Sequence, residues 1–246
     1  MKRVQNSVEA IQKRIQVARE KCGRDAREVT LIGASKTVST ARLGEFYEMG
    51  LCEIGENYVQ EALDKQREIA TLSTRCDFKW HFIGALQSNK ARDVVGKFAL
   101  VHSVDRVKLA RALNDEARKI GVVQDVLLQV NIGGETSKSG VAPEDLTKLA
   151  REVSALENLR VCGLMCLPPY FDDAEKVRPL FRRMRELRDE LAIEITTETT
   201  TESTLSTRSL RLELSMGMSH DFEIAIEEGA TMIRLGTVLF GARKPA

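Results

Sequence analysis

Short apolar runs rich in branched residues alternate along this chain with longer stretches of helical period, and that rhythm restricts the fold more than any other feature. The runs are Val29–Ser35, Cys52–Gly55, Trp80–Gly84, Leu100–Ser103, Val126–Ile132, Val161–Leu167, Leu212–Met216 and Met232–Leu235. Helical segments separate them at Thr40–Met49, Tyr58–Leu72, Val107–Ile120, Pro143–Leu156 and Ala174–Leu191, and a further one, Phe222–Glu228, precedes the last run. Strand and helix in alternation are the sign of βαβ units around a parallel sheet. Eight such strands favour a closed (β/α)8 barrel over an open doubly wound sheet. At 246 residues the chain suits one barrel domain, expected over 1–246.

Val4, Val8, Ile11, Ile15 and Val17 recur at roughly helical spacing among charges, which predicts an additional N-terminal amphipathic helix and not a signal segment. No run approaches the length of a membrane span. Thirty-seven basic against thirty-six acidic residues leave a charge of +1, with no general attraction to nucleic acid or anionic lipid. A cytoplasmic protein with a small-molecule partner is expected. Cys22, Cys52, Cys76, Cys162 and Cys166 form an odd, scattered set without a CxxC pair, so neither a disulfide framework nor a zinc site is predicted. Thr196–Thr207 (TTETTTESTLST) has one apolar residue in twelve and reads as a Thr/Ser-rich loop before the seventh strand.

In this fold chemistry collects where strands end. The first strand runs into Ser35-Lys36-Thr37, putting an ammonium at the predicted mouth. Partial burial there favours the free amine, which imine formation with an aldehyde requires. The seventh strand leads through Ser215, Gly217 and Ser219 into a helix start, and the eighth through Arg234, Gly236 and Thr237. Both suit an anion, because helix starts leave N–H groups unpaired, and phosphate in such barrels often sits between these two loops. Glu56 and Asn57 either line a pocket or simply begin the next helix. His81, between Trp80 and Phe82, reads as a barrel-lining histidine rather than a proton shuttle.

Seven segments carry a family resemblance: ASKTV at Lys36, GENYVQE around Asn57, WHFIGALQSNK at Trp80–Lys90, VNIGGETSKSG around Asn131, GLMCLPP at Gly163–Pro169, LSMGMSHDFEIAI at Leu214–Ile226 and RLGTVLFG at Arg234–Gly241. They span most of the chain, and through them it resembles the YggS/PROSC family of pyridoxal phosphate-binding, or homeostasis, proteins. The resemblance implies a barrel like the alanine racemase N-terminal domain (fold type III), with pyridoxal 5′-phosphate (PLP) held as an imine on Lys36. It further implies that Ser215, Gly236 and Thr237 hold the phosphate, that Asn57 lies beside the cofactor, and that Arg234 faces the pyridine nitrogen.

An Arg at that nitrogen keeps the ring a weak electron sink, suited to imine exchange or limited proton transfer. Racemases of this fold take a second base from a further C-terminal domain across a dimer, and here the chain stops at Ala246, five residues after Gly241. The resemblance therefore favours a monomeric carrier or regulator of PLP, with PLP-requiring apoenzymes as partners and no established turnover. Weak amino-acid racemization is the alternative. A phosphate-binding lyase or isomerase without the cofactor is supported by the two loops alone. His220 stands where the family usually has a small residue, and this bears on phosphate affinity. Ser137 and Lys138, after the fifth strand, read as a surface loop or part of an entrance.

Overall fold

The computed structural model describes residues 2–22, 29–71, 76–136, 138–199 and 212–241. Eight parallel strands close on one another in chain order: β1 (Thr30–Ala34), β2 (Glu53–Glu56), β3 (Lys79–Phe82), β4 (Leu100–Val104), β5 (Gln124–Val130), β6 (Leu159–Cys166), β7 (Glu213–Ser215) and β8 (Met232–Leu235). Closure is direct, with Thr30 through Gly33 of β1 in register with Met232 through Leu235 of β8. The predicted (β/α)8 barrel is thus the fold, and each expected run supplies one strand.

The helices are α1 (Lys2–Lys21), α2 (Thr40–Tyr47), α3 (Val59–Thr71), α4 (Ala91–Val94), α5 (Val107–Ile120), α6 (Leu146–Ser154), α7 (Arg178–Thr199), α8 (Phe222–Glu227) and α9 (Thr237–Phe240). Leu109, Ala110, Leu113 and Ala117 of α5 recur at three- and four-residue steps and are buried against the barrel. Gly121, left-handed at φ 69°, closes that helix. In α1, Val4, Val8, Ile11 and Ile15 are buried as expected, but Val17 is 44% exposed and Ala18 takes the next inward position. Three residues past Ile15, Ala18 keeps to the 3.6-residue period that Val17 breaks.

The four-residue helix α4 escaped the sequence reading because one turn carries no periodicity, whereas α9 supplies the helix start expected after β8. The backbone of 196–199 continues α7, while the rest of the Thr/Ser-rich stretch lies outside the described residues. Among the described helices none is long and apolar enough to cross a membrane, and no cluster of potential metal ligands occurs among the described residues. All five cysteines are free. Burial lifts the thiols of the half-buried Cys162 to about 11 and of the buried Cys166 to about 12, which disfavours their thiolate forms.

β6 carries a bulge in mid-strand. Its pairing with β5 steps from Val126↔Val161 to Leu127↔Gly163, so Cys162 has no partner of its own. Gly163 sits there at φ 152°, and a Cβ on it would lie 2.0 Å from the Glu213 carbonyl oxygen of β7. Gly163→Ala should therefore cost about 3 kcal/mol, from strained backbone and a parted β6–β7 pair. Urea denaturation checks this, and an unchanged midpoint would contradict it.

Candidate functional site

Lys36 follows β1 at the C-terminal mouth and is half-buried. Its Nζ donates to Tyr58 Oη at 2.8 Å. The segment that carries it is locked from beneath. Thr37 is the only described non-glycine residue with positive φ (66°), and its N–H donates to Glu61 Oε1 at 2.6 Å. A left-handed residue beside the lysine is the kind of strain that persists only where its surroundings hold it.

What holds it is a buried ionic cluster. Lys65 Nζ, nearly enclosed, donates to the Ser35 carbonyl (2.7 Å), Glu56 Oε1 (2.7 Å) and Glu61 Oε1 (2.8 Å). Ser35 Oγ also donates to Glu56 Oε1, at 2.5 Å. Burial pushes the Glu56 carboxyl above its ordinary range, against the hydrogen bonds from Lys65 and Ser35. For Glu61, burial is outweighed by the bonds from Lys65 and Thr37 and by the nearby charges, so its carboxyl stays below the ordinary value. Glu56 is therefore a structural anchor under the Lys36 loop rather than a pocket-lining acid.

A pocket of about 750 Å3 opens beside this segment, within the roughly 300–1,000 Å3 typical of small-molecule sites. Lys36, Thr37, Gly236 and Thr237 line it together. Gly236 precedes α9 and Thr237 begins it, so Lys36 shares the pocket with the N–H groups that a helix start leaves unpaired. Asn57, Ser215 and Arg234 do not line it. Asn57 sits at the end of β2 against Gly84, where any Cβ would come within 2.2 Å of the Asn57 carbonyl oxygen.

Ser215 and Arg234 form a second, interior group. Arg234 is 3% exposed; its NH1 donates to Ser215 Oγ (2.6 Å) and its NH2 to the Cys166 carbonyl (2.8 Å). Burial draws its guanidinium below the usual value, offset by Cys166 and Asp221. Ser215 is fully enclosed and its hydroxyl also meets His102 Nδ1 at 3.0 Å. The structure thus joins Ser215 to Arg234 and His102. Ser219, four residues on, reaches the loop of Gly236 and Thr237, its Oγ accepting from Val238 N–H at 3.3 Å. Ser215 is a strand residue whose side chain points into the barrel, whereas Ser219 lies past the strand end.

Tyr58, Lys65 and His102 were missed in the sequence. His102 carried a usable signal, a polar side chain inside the apolar run Leu100–Val104. His81 lines the barrel as expected. His220 Nε2 meets the Phe171 carbonyl at 3.0 Å and its ring lies against Tyr170, so it is engaged with the loop after β6. Lys138 donates to the Pro168 carbonyl at 3.1 Å, and Ser137 lies outside the described residues.

A family model described as alanine racemase, N-terminal domain, matches residues 7–244. The chain is 49% identical over 231 residues to the pyridoxal phosphate homeostasis protein of Aquifex aeolicus, covering 94% of each. It is 44% identical to the protein of that name from Pseudomonas aeruginosa, over 99% of this chain and 97% of the other. Among solved structures it resembles PipY of Synechococcus elongatus with PLP bound (TM-score 0.78, 35% identity, 97% and 100% coverage).

Proposed function

Because this chain belongs to the alanine racemase N-terminal-domain family and, within it, to the pyridoxal phosphate homeostasis proteins, we propose that it binds PLP at the mouth of its barrel and takes part in the cell's management of that cofactor. The observation that carries this reading is the sharing of one pocket by an amine and a helix start, Lys36 with Gly236 and Thr237. When bound, PLP supplies a reactive aldehyde and an electron-drawing ring. The residues fit both ends of it.

Lys36 Nζ is the nucleophile for covalent attachment in this reading, and Tyr58 Oη, 2.8 Å away, accepts its hydrogen bond and holds the amine in place. Gly236 and Thr237 would hold the phosphate with backbone N–H groups together with Ser215, and Ser219, which accepts from Val238 N–H, stands at the same loop. Asn57 stands beside the cofactor. Arg234, held by Ser215 and the Cys166 carbonyl, would face the pyridine nitrogen in this reading, where a buried cation opposes a second positive charge on the ring. A ring left unprotonated favours storage and exchange of the cofactor over carbanion chemistry.

Delivery to PLP-requiring apoenzymes, by a cytoplasmic monomer, completes the proposal. The test is reconstitution of an apo-acceptor enzyme. Loaded protein should restore activity faster than free PLP supplied at the concentration in equilibrium with it; equal rates would remove delivery from the account and leave buffering of the free aldehyde.

A further inference from the structure

Beneath the mouth, five side chains from five strands join in one line across the barrel interior. Arg234 NH1 meets Ser215 Oγ (2.6 Å), Ser215 Oγ meets His102 Nδ1 (3.0 Å), His102 Nε2 meets His81 Nδ1 (2.9 Å), and His81 Nε2 meets Glu53 Oε2 (2.7 Å). Both rings are buried, His102 completely. Nothing in the proposed cofactor chemistry uses Glu53, His81 or His102.

The two ends fix every hydrogen between them. A guanidinium can only donate, and an ionised carboxylate can only accept. Glu53 therefore requires a hydrogen on His81 Nε2. A neutral His81 then has a bare Nδ1, which requires a hydrogen on His102 Nε2. A neutral His102 in turn has a bare Nδ1, and so the Ser215 hydroxyl must donate to it. Ser215 Oγ keeps a lone pair for Arg234. The hydrogens all point from cation to anion, and the chain is satisfied with two neutral imidazoles.

The reverse order needs one more proton, shared by His81 and Glu53. The order from cation to anion needs no such proton, and the surroundings favour a neutral His102 and an ionised Glu53. Burial, then His81 and Arg234, drive the His102 imidazole well below its usual range, and the hydrogen bond from His81 holds the Glu53 carboxyl down against burial. Lys79 Nζ lies 3.3 Å from the other Glu53 oxygen, while at the far end Asp221 and Cys166 are the remaining titratable groups near Arg234.

We propose that Glu53, His81, His102 and Ser215 are positioning residues for Arg234, acting as a single proton-ordered chain that aims its guanidinium at whatever the barrel mouth holds. Glu53 lies at the start of β2, on the opposite face of the barrel from Lys36, and lines a separate pocket of about 990 Å3 there with Arg19 and Lys79. A change at that face is transmitted to the mouth through four hydrogen bonds. The link to PLP rests on the function proposed above, whereas the chain itself does not.

The chain has three histidines, so long-range proton–nitrogen spectra of histidine-labelled protein resolve each ring. Near neutral pH, His81 and His102 are expected as neutral rings with hydrogen on Nε2, and Ser215→Ala should shift the His102 Nδ1 resonance. A hydrogen on Nδ1 of either ring, or a doubly protonated ring, overturns the proposal. As a second readout, Glu53→Leu, which leaves His81 Nε2–H without its acceptor, should weaken PLP binding roughly tenfold, the size of effect seen when an outer hydrogen-bond partner of a bound group is lost. Lys79→Met, which removes the exposed charge beside Glu53 but no member of the chain, should leave binding within about twofold. Unchanged binding in Glu53→Leu overturns the positioning role. If the unaltered protein binds no PLP, the proposed function fails while the spectra still decide the chain.

Discussion

Lys36→Ala is expected to abolish covalent retention of PLP while leaving the barrel folded. The lysine is half-buried at the mouth, and its one hydrogen bond in the structure goes to the exposed Tyr58. Its removal opens no core cavity and breaks no buried pair, so the stability change should stay within about 0.5 kcal/mol. Covalent attachment, by contrast, has no substitute nucleophile nearby. Lys65, the next amine, is committed to three acceptors beneath the loop. Lys36→Arg should behave like the alanine variant, since it keeps the charge but supplies no amine for an aldehyde. The check is cofactor content after desalting, with thermal unfolding alongside. Full retention by a folded Lys36→Ala protein would move the attachment point elsewhere.

Lys65→Met should be the most destabilising single change at the mouth. Glu56 is fully enclosed, and Lys65 is its one cationic hydrogen-bond partner in the structure. Removing one partner of a buried ion pair leaves a charge that the interior cannot solvate, at a cost of about 3–5 kcal/mol. The pH dependence follows from the direction in which Glu56 is already displaced. Its folded-state carboxyl lies above the ordinary range because of burial, so ionising it opposes folding. That penalty is absent below the unfolded pKa and grows as pH rises through the folded one. Without Lys65 it grows further, so Lys65→Met should regain stability as the medium is acidified toward the ordinary carboxylate range. Denaturant midpoints at neutral and mildly acidic pH test both parts; a loss independent of pH would mean that packing, not charge, is what Lys65 contributes.

Much of this architecture was legible because barrels write their strands as apolar runs. Every expected run became a strand, and Val107–Ile120 matched α5 to the residue, its four buried positions stepping at helical spacing. Lys36 was legible as well, as a lone ammonium at the end of such a run. The sequence was silent where function depends on which way a strand side chain points. Ser215 and Ser219 lie four apart around a glycine, and only closure of the barrel turns one toward Arg234 and leaves the other by the β8 loop. Ser215 and Arg234 therefore meet in one interior hydrogen bond that no local pattern records.

The cluster under Lys36 was invisible for a different reason. Lys65 falls on a helix, three residues after Ala62, where a lysine normally reaches solvent. It is buried only because α3 packs over the ends of β1 and β2, a contact that no local pattern records. The same holds for the line from Glu53 to Arg234, whose members are spread over 181 positions of sequence between residues 53 and 234 but occupy neighbouring interior places in the barrel. A polar residue in the middle of an apolar strand run, as at His81, His102 and Arg234, is the one local sign they share.

The central claim is that Lys36 is the residue that holds PLP. Borohydride makes a lysine imine permanent, so reduction of the loaded protein followed by peptide mass mapping reads the attachment point directly. The account predicts a single pyridoxyl phosphate adduct, on the peptide containing Lys36, with Lys65 and Lys138 unlabelled. An adduct confined to another lysine, or none in protein that demonstrably carries PLP, would contradict it.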